Sequence, residues 1–493
     1  MVACPHALAS QAGVQALRAG GSAVDAAIAA ASTLGVIYPH MCGLGGDAFW
    51  LIYDAAQQKV AYLDGGGRAA ASAAIHRFSG KEIPFRGILP ATLTVPGSVA
   101  AFCEAHARYG KLPLARWIEE VAPEMDAATG NLFPAGAKTL KNPALARTLE
   151  AIAAAGWAGF YESEVAAALG RFSETGGGFF RASDFRSQKA SWGEPLRGTY
   201  RGVTICETPA PTQGFTVLEM LNLIEPYELA KKPFLGPDHV HLLVQAKQIA
   251  YHDRDRVLAD PRFARVPMDK LISKAYADER RALVDPGRAL AWDAVPSSGS
   301  LAGDTVYVAA VDEAGNAASL IFSLYGTFGS CVTSPQTGVL LQNRGAYFSL
   351  DPAHPNKLEP GKVPMHTLIA SLAFRGGKLW AALGCMGADG QPQIHLQAYV
   401  AMIDFGRDVQ QAVADPRWLS GRFALGEARD TLHIEARFPR ETIEELERRG
   451  HTLERWGNWN ELAGHAHGIT IEPASGMRCG GHDPRSDGAA IGY

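Results

Sequence analysis

A threonine at the head of an apolar segment is the residue of this chain best suited to chemistry. Thr305 follows a polar stretch, 296–304, and opens the run 305–312, which is rich in valine and alanine. A hydroxyl at the first position of a buried strand suits an N-terminal nucleophile. Once the preceding peptide bond is cut, the freed α-amine can act as general base for the side chain. Many strands begin with threonine, so this local pattern alone is a weak signal.

Three other patterns carry charged or metal-binding side chains. Residues 65–68, three glycines followed by an arginine, could form an anion-holding loop. The cluster 252–256 (His-Asp-Arg-Asp-Arg) has helical spacing, which is more typical of surface ion pairs than of a catalytic set. His465 and His467 share one strand face, yet no nearby carboxylate completes a ligand set. We therefore expect no metal site.

The elements that must position Thr305 are strands. The runs 305–312 and 316–324 have strand length, are apolar on both faces and are joined by a Gly-Asn turn. This pattern predicts a hairpin in the middle of a sheet that is covered on both sides. Further strands are predicted at 48–53, 59–64 and 378–383, and an extended segment is predicted at 200–207.

Helical periodicity dominates the middle of the chain. Helices are predicted at 7–19, from Ser22 onward, and at 99–109, 114–127, 145–155, 162–169, 239–258 and 392–404, with another after Pro439. Strands near both ends with helices between them predict one mixed α+β body rather than a string of separate domains.

Composition narrows the class of protein. The 493 residues are 47% hydrophobic and 19% charged, and the formal charge of −4 argues against a nucleic-acid or anionic-membrane partner. Seven scattered cysteines without a CxxC motif predict neither a disulfide framework nor a zinc site, and Cys385 is interpreted as a small buried residue. No signal peptide or membrane-spanning run is evident, so we expect a cytoplasmic protein. We also expect no cofactor.

An ordered series of motifs matches a known family along nearly the whole chain. The matching stretches are 6–13, 20–27, 39–46, 95–98, 109–113, 200–222, 305–312, 315–317, 327–329 and 483–487. With these motifs the chain resembles the γ-glutamyltransferase (γ-glutamyltranspeptidase) family of N-terminal-nucleophile hydrolases. Because many motifs occur in the family's order, the resemblance strongly favours the catalytic interpretation of Thr305.

The resemblance implies a fold and a maturation step. The fold would be a four-layer αββα sandwich built by two interwoven subunits from one proenzyme. Self-cleavage between Asp304 and Thr305 would give a large subunit, 1–304, and a small subunit, 305–493, which stay together. The association of two such pairs is left open.

The resemblance also implies catalytic roles. Thr305 would attack an amide carbonyl and form an acyl-enzyme. The main-chain N–H groups of Gly387 and Ala388 match the family's paired glycines of the oxyanion hole, and an alanine keeps the N–H donor. Ser323 stands where the family has a threonine hydroxyl near the nucleophile, which implies a supporting role.

The chain departs from the family where glutamate-specific members hold the substrate's α-ammonium group. Those members use an asparagine, a glutamine or glutamate, and an aspartate, and an ungapped count places Tyr325, Arg344 and Tyr347 at these positions. No acidic residue remains there to pair an ammonium, and Arg344 would repel one. The family's paired serines that contact the α-carboxylate fall at His366 and Thr367.

The carboxylate clamp also differs. The family's clamping arginine aligns with Gly66, Arg68 lies two residues further on, and the lid segment 350–362 is shorter than in typical bacterial members. These departures predict an acyl group with a carboxylate but no α-amine, held bidentately by Arg68 and Arg344. An alternative, in which Arg344 pairs with a structural carboxylate, stays open.

Three functions follow from the sequence. The leading one is an autoprocessed threonine amidohydrolase that hydrolyses a small carboxylate-bearing amide, as the family's oxamate amidohydrolases or glutaryl-type cephalosporin acylases do. The second is a γ-glutamyl hydrolase or transferase acting on glutathione-like compounds. The third is a non-catalytic single chain that only binds a ligand or partner, against which the intact Asp304–Thr305 junction argues.

Overall fold

The computed structural model describes most of the chain. The described residues are 1–80, 82–114, 141–290, 304–421, 431–472 and 474–493. Two large antiparallel sheets form its centre, and the following paragraphs give their strands.

Seven strands form the first sheet. In spatial order they are β18 (Ala489–Ile491), β1 (Val2–Cys4), β7 (Asp304–Val311), β8 (Ala317–Tyr325), β2 (Asp47–Asp54), β3 (Lys59–Gly65) and β4 (Ser191–Gly193). The predicted hairpin is confirmed, because β7 and β8 pair antiparallel in the middle of this sheet and nearly all of their residues are buried.

Six strands form the second sheet. In spatial order they are β17 (Arg478–His482), β16 (Ala466–Ile471), β12 (Lys378–Cys385), β11 (Ser371–Arg375), β6 (Val203–Glu207) and β5 (Leu196–Tyr200). Two small sheets complete the set of described strands: β9 (Val332–Thr333) with β10 (Leu340–Leu341), and β13 (Trp418–Ser420) with β14 (Leu432–Glu435) and β15 (Leu453–Trp456).

The two large sheets pack face to face. Tyr307 and Ile321 of the first sheet share one hydrophobic core with Leu372 and Ile469 of the second. The sheets approach each other closely at Gly384 of β12, where an added Cβ would lie 2.3 Å from the ring of Tyr307. A glycine is needed at this point because any side chain would meet the tyrosine ring.

Helices cover the outer faces. The described α-helices are α1 (Ala7–Arg18), α2 (Ala23–Ile37), α3 (Ile88–Ala91), α4 (Ser98–Tyr109), α5 (Pro143–Ala155), α6 (Trp157–Tyr161), α7 (Glu164–Thr175), α8 (Ala182–Arg186), α9 (Phe215–Ile224), α10 (Pro237–Val257), α11 (Met268–Leu271), α12 (Lys274–Arg281), α13 (Gln391–Asp404), α14 (Val409–Ala414) and α15 (Arg440–Arg448). Short 3-10 helices lie at Ile75–Arg77, Leu229–Lys231, Arg344–Tyr347, Ala388–Gly390 and Glu461–Ala463.

Each large sheet has its own helical cover. Helices α1, α2 and α4 share a core with the seven-stranded sheet, and α9, α10 and α13 share one with the six-stranded sheet. Within the described ranges, no helix has both the length and the apolar character needed to cross a membrane. The expected mixed α+β body is confirmed.

Two predicted elements differ from the structure or fall outside it. The extended segment 200–207 is two antiparallel strands, because Arg201 and Gly202 adopt φ values of 46° and 79° and turn the chain between β5 and β6. Apart from its first residue, the helix predicted at 114–127 lies outside the described residues.

The expectation of surface ion pairs at 252–256 is wrong for two of its residues. Asp253 is 3% exposed and Arg254 is 1% exposed. The segment belongs to α10, which packs against α9, α13 and α15 and is therefore buried on most of its circumference. Charge at helical spacing indicated a solvated face, but the packing around this helix outweighs that signal.

Candidate active site

Thr305 faces the space between the two large sheets. Side chains alternate along a strand, and Tyr307, two residues further along β7, lies in the core that both sheets share. The partner strand β8 carries one extra residue here, because Asp304 pairs with Tyr325 whereas Val306 pairs with Phe322. Such bulges re-aim side chains and are frequent next to active sites. Thr305 is 2% exposed.

Ser323 links the predicted nucleophile to the predicted cleavage bond. The Thr305 hydroxyl donates to Ser323 Oγ over 3.1 Å, and the Ser323 hydroxyl donates to the carbonyl oxygen of Asp304 over 2.5 Å. The main-chain N–H of Tyr325 also donates to Ser323 Oγ, over 2.7 Å. The serine hydroxyl is therefore oriented towards the carbonyl that the threonine would attack.

The predicted oxyanion hole lies in the turn after β12. Gly387 has φ 141° and Ala388 has φ 44°, so both adopt the left-handed half of backbone space. That conformation is unusual for alanine and costs about 1 kcal/mol. In the described part of the chain, neither main-chain N–H of this pair donates to another residue. Both donors are thus available to a ligand.

Gln213 connects this turn to a neighbouring loop, a role that no pattern in the sequence indicated. Its amide Nε2 donates to the carbonyl oxygens of Thr367 (2.9 Å) and Ala388 (3.1 Å). Its Oε1 accepts from Arg254 over 2.6 Å. One buried side chain therefore sets the spacing between the oxyanion turn and the segment that carries Thr367.

Arg344 is a buried cation with little hydrogen bonding. Its Nη1 donates to the hydroxyl of Thr367 over 2.9 Å, and its guanidinium carbon lies 4.2 Å from the ring centroid of Tyr325 and 5.6 Å from that of Tyr347. Nε and Nη2 of this arginine have no hydrogen-bond partner among the described residues. Burial lowers the pKa of Arg344.

The alternative in which Arg344 pairs with a structural carboxylate is wrong within the described residues, because none of their ion pairs includes this arginine. A buried guanidinium with two free N–H-bearing nitrogens is costly to the fold. Such a group is typical of a site that is completed by an anionic ligand.

Asp389 is the acidic residue of this cluster. Its Oδ2 accepts from the Tyr347 hydroxyl over 2.7 Å, and its Oδ1 accepts from Arg254 over 2.6 Å. Arg254 and Asp389 lie 135 positions apart in the chain. The sequence singled out Arg254 only within the cluster 252–256, where surface ion pairs were expected, and it did not identify Asp389. One signal for burial was available, since Ala250, Tyr251, Val257 and Leu258 lie three or four positions from Arg254 along the chain.

His366 belongs to a buried pair behind the cluster. One ring nitrogen lies 3.0 Å from Oδ2 of Asp47, and Oδ1 of Asp47 accepts from Gln342 (3.0 Å) and from the N–H of Gly97 (3.1 Å). Burial raises the pKa of Asp47 to about 7. Burial, followed by the charge of Arg344, holds the pKa of His366 well below its usual range.

Arg68 has a different set of neighbours. It lines a cavity of about 140 Å³. The other lining residues are Asp64, Gly66, Lys189, Ser191, Asp260, Pro261, Arg262 and Val363. Burial, followed by the charge of Arg262, lowers the pKa of Arg68. The joint role of Arg68 and Arg344 in holding a carboxylate stays a prediction.

Three further residues singled out by the sequence lie in the interior. Cys385 is buried, as interpreted, and burial raises the pKa of its thiol well above its usual range. His465 and His467 are buried, and their ring nitrogens have no hydrogen-bond partner among the described residues. The described ranges hold no group of three or more side chains placed to bind a metal.

The site combines a buried hydroxyl group close to a hydrogen-bonded carbonyl, two main-chain N–H donors, and a guanidinium without a carboxylate partner among the described residues. The family model of gamma-glutamyltranspeptidase matches residues 9–126 and 124–493. The chain therefore belongs to the gamma-glutamyltranspeptidase family, whose members act on amide bonds.

Individual relatives agree with this membership. The chain is 38% identical to a glutathione hydrolase-like YwrD proenzyme of Bacillus subtilis and 35% identical to an oxamate amidohydrolase proenzyme of Klebsiella pneumoniae, covering 100% of this chain and 98% of each relative. The crystal structure of cephalosporin acylase from Bacillus halodurans superposes with a TM-score of 0.88 at 32% identity, covering 100% of this chain and 96% of that one. The mixed helix and sheet fold is shared over the whole chain.

Proposed function

We propose that this protein is an autoprocessed threonine amidohydrolase that hydrolyses a small amide whose acyl group carries a carboxylate. The observation that carries the proposal is Arg344, a buried guanidinium with two unpartnered nitrogens between two tyrosine rings. A planar carboxylate can accept two parallel N–H bonds from such a fork. A relative named for oxamate, an amide next to a carboxylate, supports the same substrate class.

Maturation begins at the Asp304–Thr305 peptide bond. Thr305 Oγ1 attacks the carbonyl carbon of Asp304 while the Ser323 hydroxyl holds the carbonyl oxygen. A C–O bond forms and the C–N bond breaks, with the hydroxyl proton passing to the departing nitrogen. Water then hydrolyses the ester, which leaves a carboxylate on Asp304 and a free α-amine on Thr305.

The two products stay interwoven in a four-layer αββα sandwich. In the seven-stranded sheet, β7, β8 and β18 of the small subunit (305–493) alternate with β1 and the β2–β4 group of the large subunit (1–304). In the six-stranded sheet, β5 and β6 of the large subunit pair with β11 of the small one. Separating the subunits would break both sheets, so cleavage changes the chemistry of Thr305 without releasing a domain.

Turnover uses the new amino terminus. The α-amine of Thr305 accepts the proton of its own hydroxyl as Oγ1 attacks the substrate amide, and the N–H groups of Gly387 and Ala388 stabilise the oxyanion. The proton passes to the departing amine, which leaves an acyl-enzyme. Water attacks the acyl carbon and regenerates the free hydroxyl. Throughout, Arg344 holds the distal carboxylate while Thr367 orients the guanidinium.

A pair of substrates that differ in one group tests this proposal. Glutaramate and L-glutamine share the amide, the chain length and the terminal carboxylate, but only glutamine carries an α-ammonium. We expect faster ammonia release from glutaramate, or from its shorter analogues oxamate and succinamate, because Arg344 repels the ammonium. Faster turnover of L-glutamine would overturn the proposal in favour of γ-glutamyl hydrolysis. A single full-length species by mass spectrometry after prolonged incubation would remove the enzymatic function.

A further inference from the structure

We infer that Arg254 is a positioning residue that keeps Arg344 open to substrate by holding Asp389, the acidic side chain that would otherwise neutralise it. This inference rests on the proposed function, in which Arg344 binds the substrate carboxylate. It assigns substrate affinity to a residue of α10 that does not itself contact the substrate. The geometry around Asp389 carries it.

Both carboxylate oxygens of Asp389 are occupied by groups other than Arg344. Oδ1 accepts from Arg254 Nη1 over 2.6 Å, and Oδ2 accepts from the Tyr347 hydroxyl over 2.7 Å. The ring of Tyr347 in turn lies 5.6 Å from the guanidinium carbon of Arg344. One tyrosine thus spans the gap between the acidic residue and the open cation.

Arg254 and Arg344, the two buried arginines of this cluster, differ in the number of hydrogen-bond acceptors around them. Arg254 is bonded to Asp389, to Asp255 (2.8 Å) and to the side-chain oxygen of Gln213 (2.6 Å). Arg344 is equally buried but has only the hydroxyl of Thr367. The positive charge without an acidic partner is therefore that of Arg344, beside Tyr325, and not that of Arg254 in α10.

Removing the charge of Arg254 should reverse this distribution. Asp389 would become a buried carboxylate without its cation, which is strongly unfavourable. Arg344 is the unpaired cation of the same cluster, and an ion pair between Asp389 and Arg344 would occupy the nitrogens that the substrate needs. The substrate would then compete with an internal carboxylate, so its affinity would fall while the nucleophile stayed intact.

A double-mutant experiment tests this competition. Ammonia release is measured with whichever of oxamate, succinamate and glutaramate the wild type turns over fastest, and with the neutral amide of the same length. We expect Arg254→Gln to raise KM for the carboxylate substrate about tenfold or more and to change turnover of the neutral amide far less. Adding Asp389→Asn removes the competing charge, so R254Q/D389N should return KM to within about threefold of D389N alone.

The outcomes separate the inference from the proposed function. Arg344→Gln should raise KM in every background, and an unchanged KM in that variant would overturn the proposed function. If R344Q raises KM but R254Q/D389N is no better than R254Q, only the role of Arg254 is overturned. Arg254→Lys keeps a cation beside Asp389 and should stay close to the wild type.

A second variant covers the case in which R254Q fails to fold or mature. Tyr347→Phe removes the other hydrogen bond to Asp389 without touching α10. It should raise KM in the same direction, and Asp389→Asn should again reverse the effect. A rise in KM that Asp389→Asn does not reverse would contradict the inference, because the lost affinity would then come from Tyr347 itself.

Discussion

The hydroxyl of Ser323 donates a hydrogen bond to the carbonyl oxygen of Asp304, with 2.5 Å between the two oxygens. Ser323 Oγ is held in place by donors from Thr305 (3.1 Å) and from the N–H of Tyr325 (2.7 Å). A donor aimed at a carbonyl oxygen stabilises the charge that develops there when the carbon is attacked. The serine is therefore placed to assist the proposed self-cleavage and the proposed turnover.

Replacing Ser323 by alanine should slow self-cleavage. Loss of one oxyanion donor costs on the order of a hundredfold in rate, and the loss here also removes the hydrogen bond that orients Thr305. The disappearance of the full-length chain on denaturing gels, with mass spectrometry of the fragments, measures this rate. Ser323→Thr keeps the hydroxyl and serves as the matched control. Equal maturation of the alanine variant and the wild type would contradict this role.

Replacing Thr305 by alanine should abolish both cleavage and activity, since no hydroxyl then remains to attack Asp304 or the substrate. Thr305→Ser is the control, because it keeps the nucleophilic oxygen and is expected to mature. The measurements are the gel assay and ammonia release. An alanine variant that retained ammonia release would place the nucleophile elsewhere.

Arg344 offers a prediction in which activity and stability change in opposite directions. An unpaired buried guanidinium costs folding free energy, so Arg344→Met should raise the melting temperature while it removes activity on carboxylate-bearing amides. Arg417, another buried arginine, is the matched control because it is paired to Asp483 over 2.9 Å. Arg417→Met should lower stability, since it removes one of the two arginines that neutralise the buried Asp483 and leaves the carbonyl oxygens of Ala463, Gly464 and Val413 without that donor.

Thermal unfolding of the two variants decides between these interpretations. Destabilisation by Arg344→Met comparable to that by Arg417→Met would show that Arg344 is structural.

A third variant, Arg68→Gln, tests whether Arg68 contributes to binding of the substrate carboxylate as Arg344 does. Because Arg68 lies beside the carboxylates of Asp64 and Asp260, we expect its replacement to change KM by much less than Arg344→Gln does.

Much of the frame could be predicted from the sequence, because its signals are local. The apolar runs 305–312 and 316–324 with a glycine turn between them define β7 and β8, and the position of Thr305 at the head of the first follows. The contacts around Arg344 were harder to predict from the sequence, since Arg254 and Asp389 are 135 positions apart in the chain and meet only in the folded protein. The charged cluster on α10 resembled a solvated face, and only tertiary packing shows that Asp253 and Arg254 are buried.

The surroundings of Arg68 also depend on a contact between distant segments. Arg68 follows three glycines, and the backbone of these glycines sets where its side chain begins. In the structure Gly66 approaches Val363 so closely that an added Cβ would lie 2.8 Å from it. Val363 also lines the cavity beside Arg68. The cavity is therefore formed in part by a segment almost 300 positions from Arg68, and the sequence did not indicate that contact.

Asp47 predicts a pH dependence of stability. Burial raises its pKa to about 7 in the folded protein, from 3.8, so the folded state binds a proton more tightly than the unfolded state does. This contribution is fully present below pH 3.8 and is lost as the pH rises through 7. Between pH 4 and 7 the wild type should therefore lose on the order of a few kcal/mol of unfolding free energy, and Asp47→Asn should flatten the accompanying decline in melting temperature.

Asp483, a buried carboxylate whose pKa is shifted in the opposite direction to that of Asp47, serves as the control for other titrating groups. The pKa of Asp483 is lowered by Arg417 and Arg485 against the opposing effect of burial. Its stabilisation is therefore complete above its unfolded pKa and does not vary between pH 5 and 8. Asp483→Asn should therefore lower the melting temperature by the same amount at every pH between 5 and 8, so that the slope of melting temperature against pH does not change. Parallel curves for Asp47→Asn and the wild type would contradict the predicted shift.

The close contact at Gly384 predicts that the packing of the two large sheets helps to position Thr305, the proposed nucleophile. An added Cβ would lie 2.3 Å from ring carbons of Tyr307, and Tyr307 is two residues from Thr305 on β7. Gly384→Ala should therefore destabilise the protein by about 1–3 kcal/mol and also slow self-cleavage, because the ring cannot move away without displacing its strand. Gly457→Ala is the control, since a Cβ there would meet nothing within 4 Å. Thermal unfolding and the gel assay measure both effects, and a Gly384→Ala variant with wild-type stability and maturation would show that the sheets separate freely at this point.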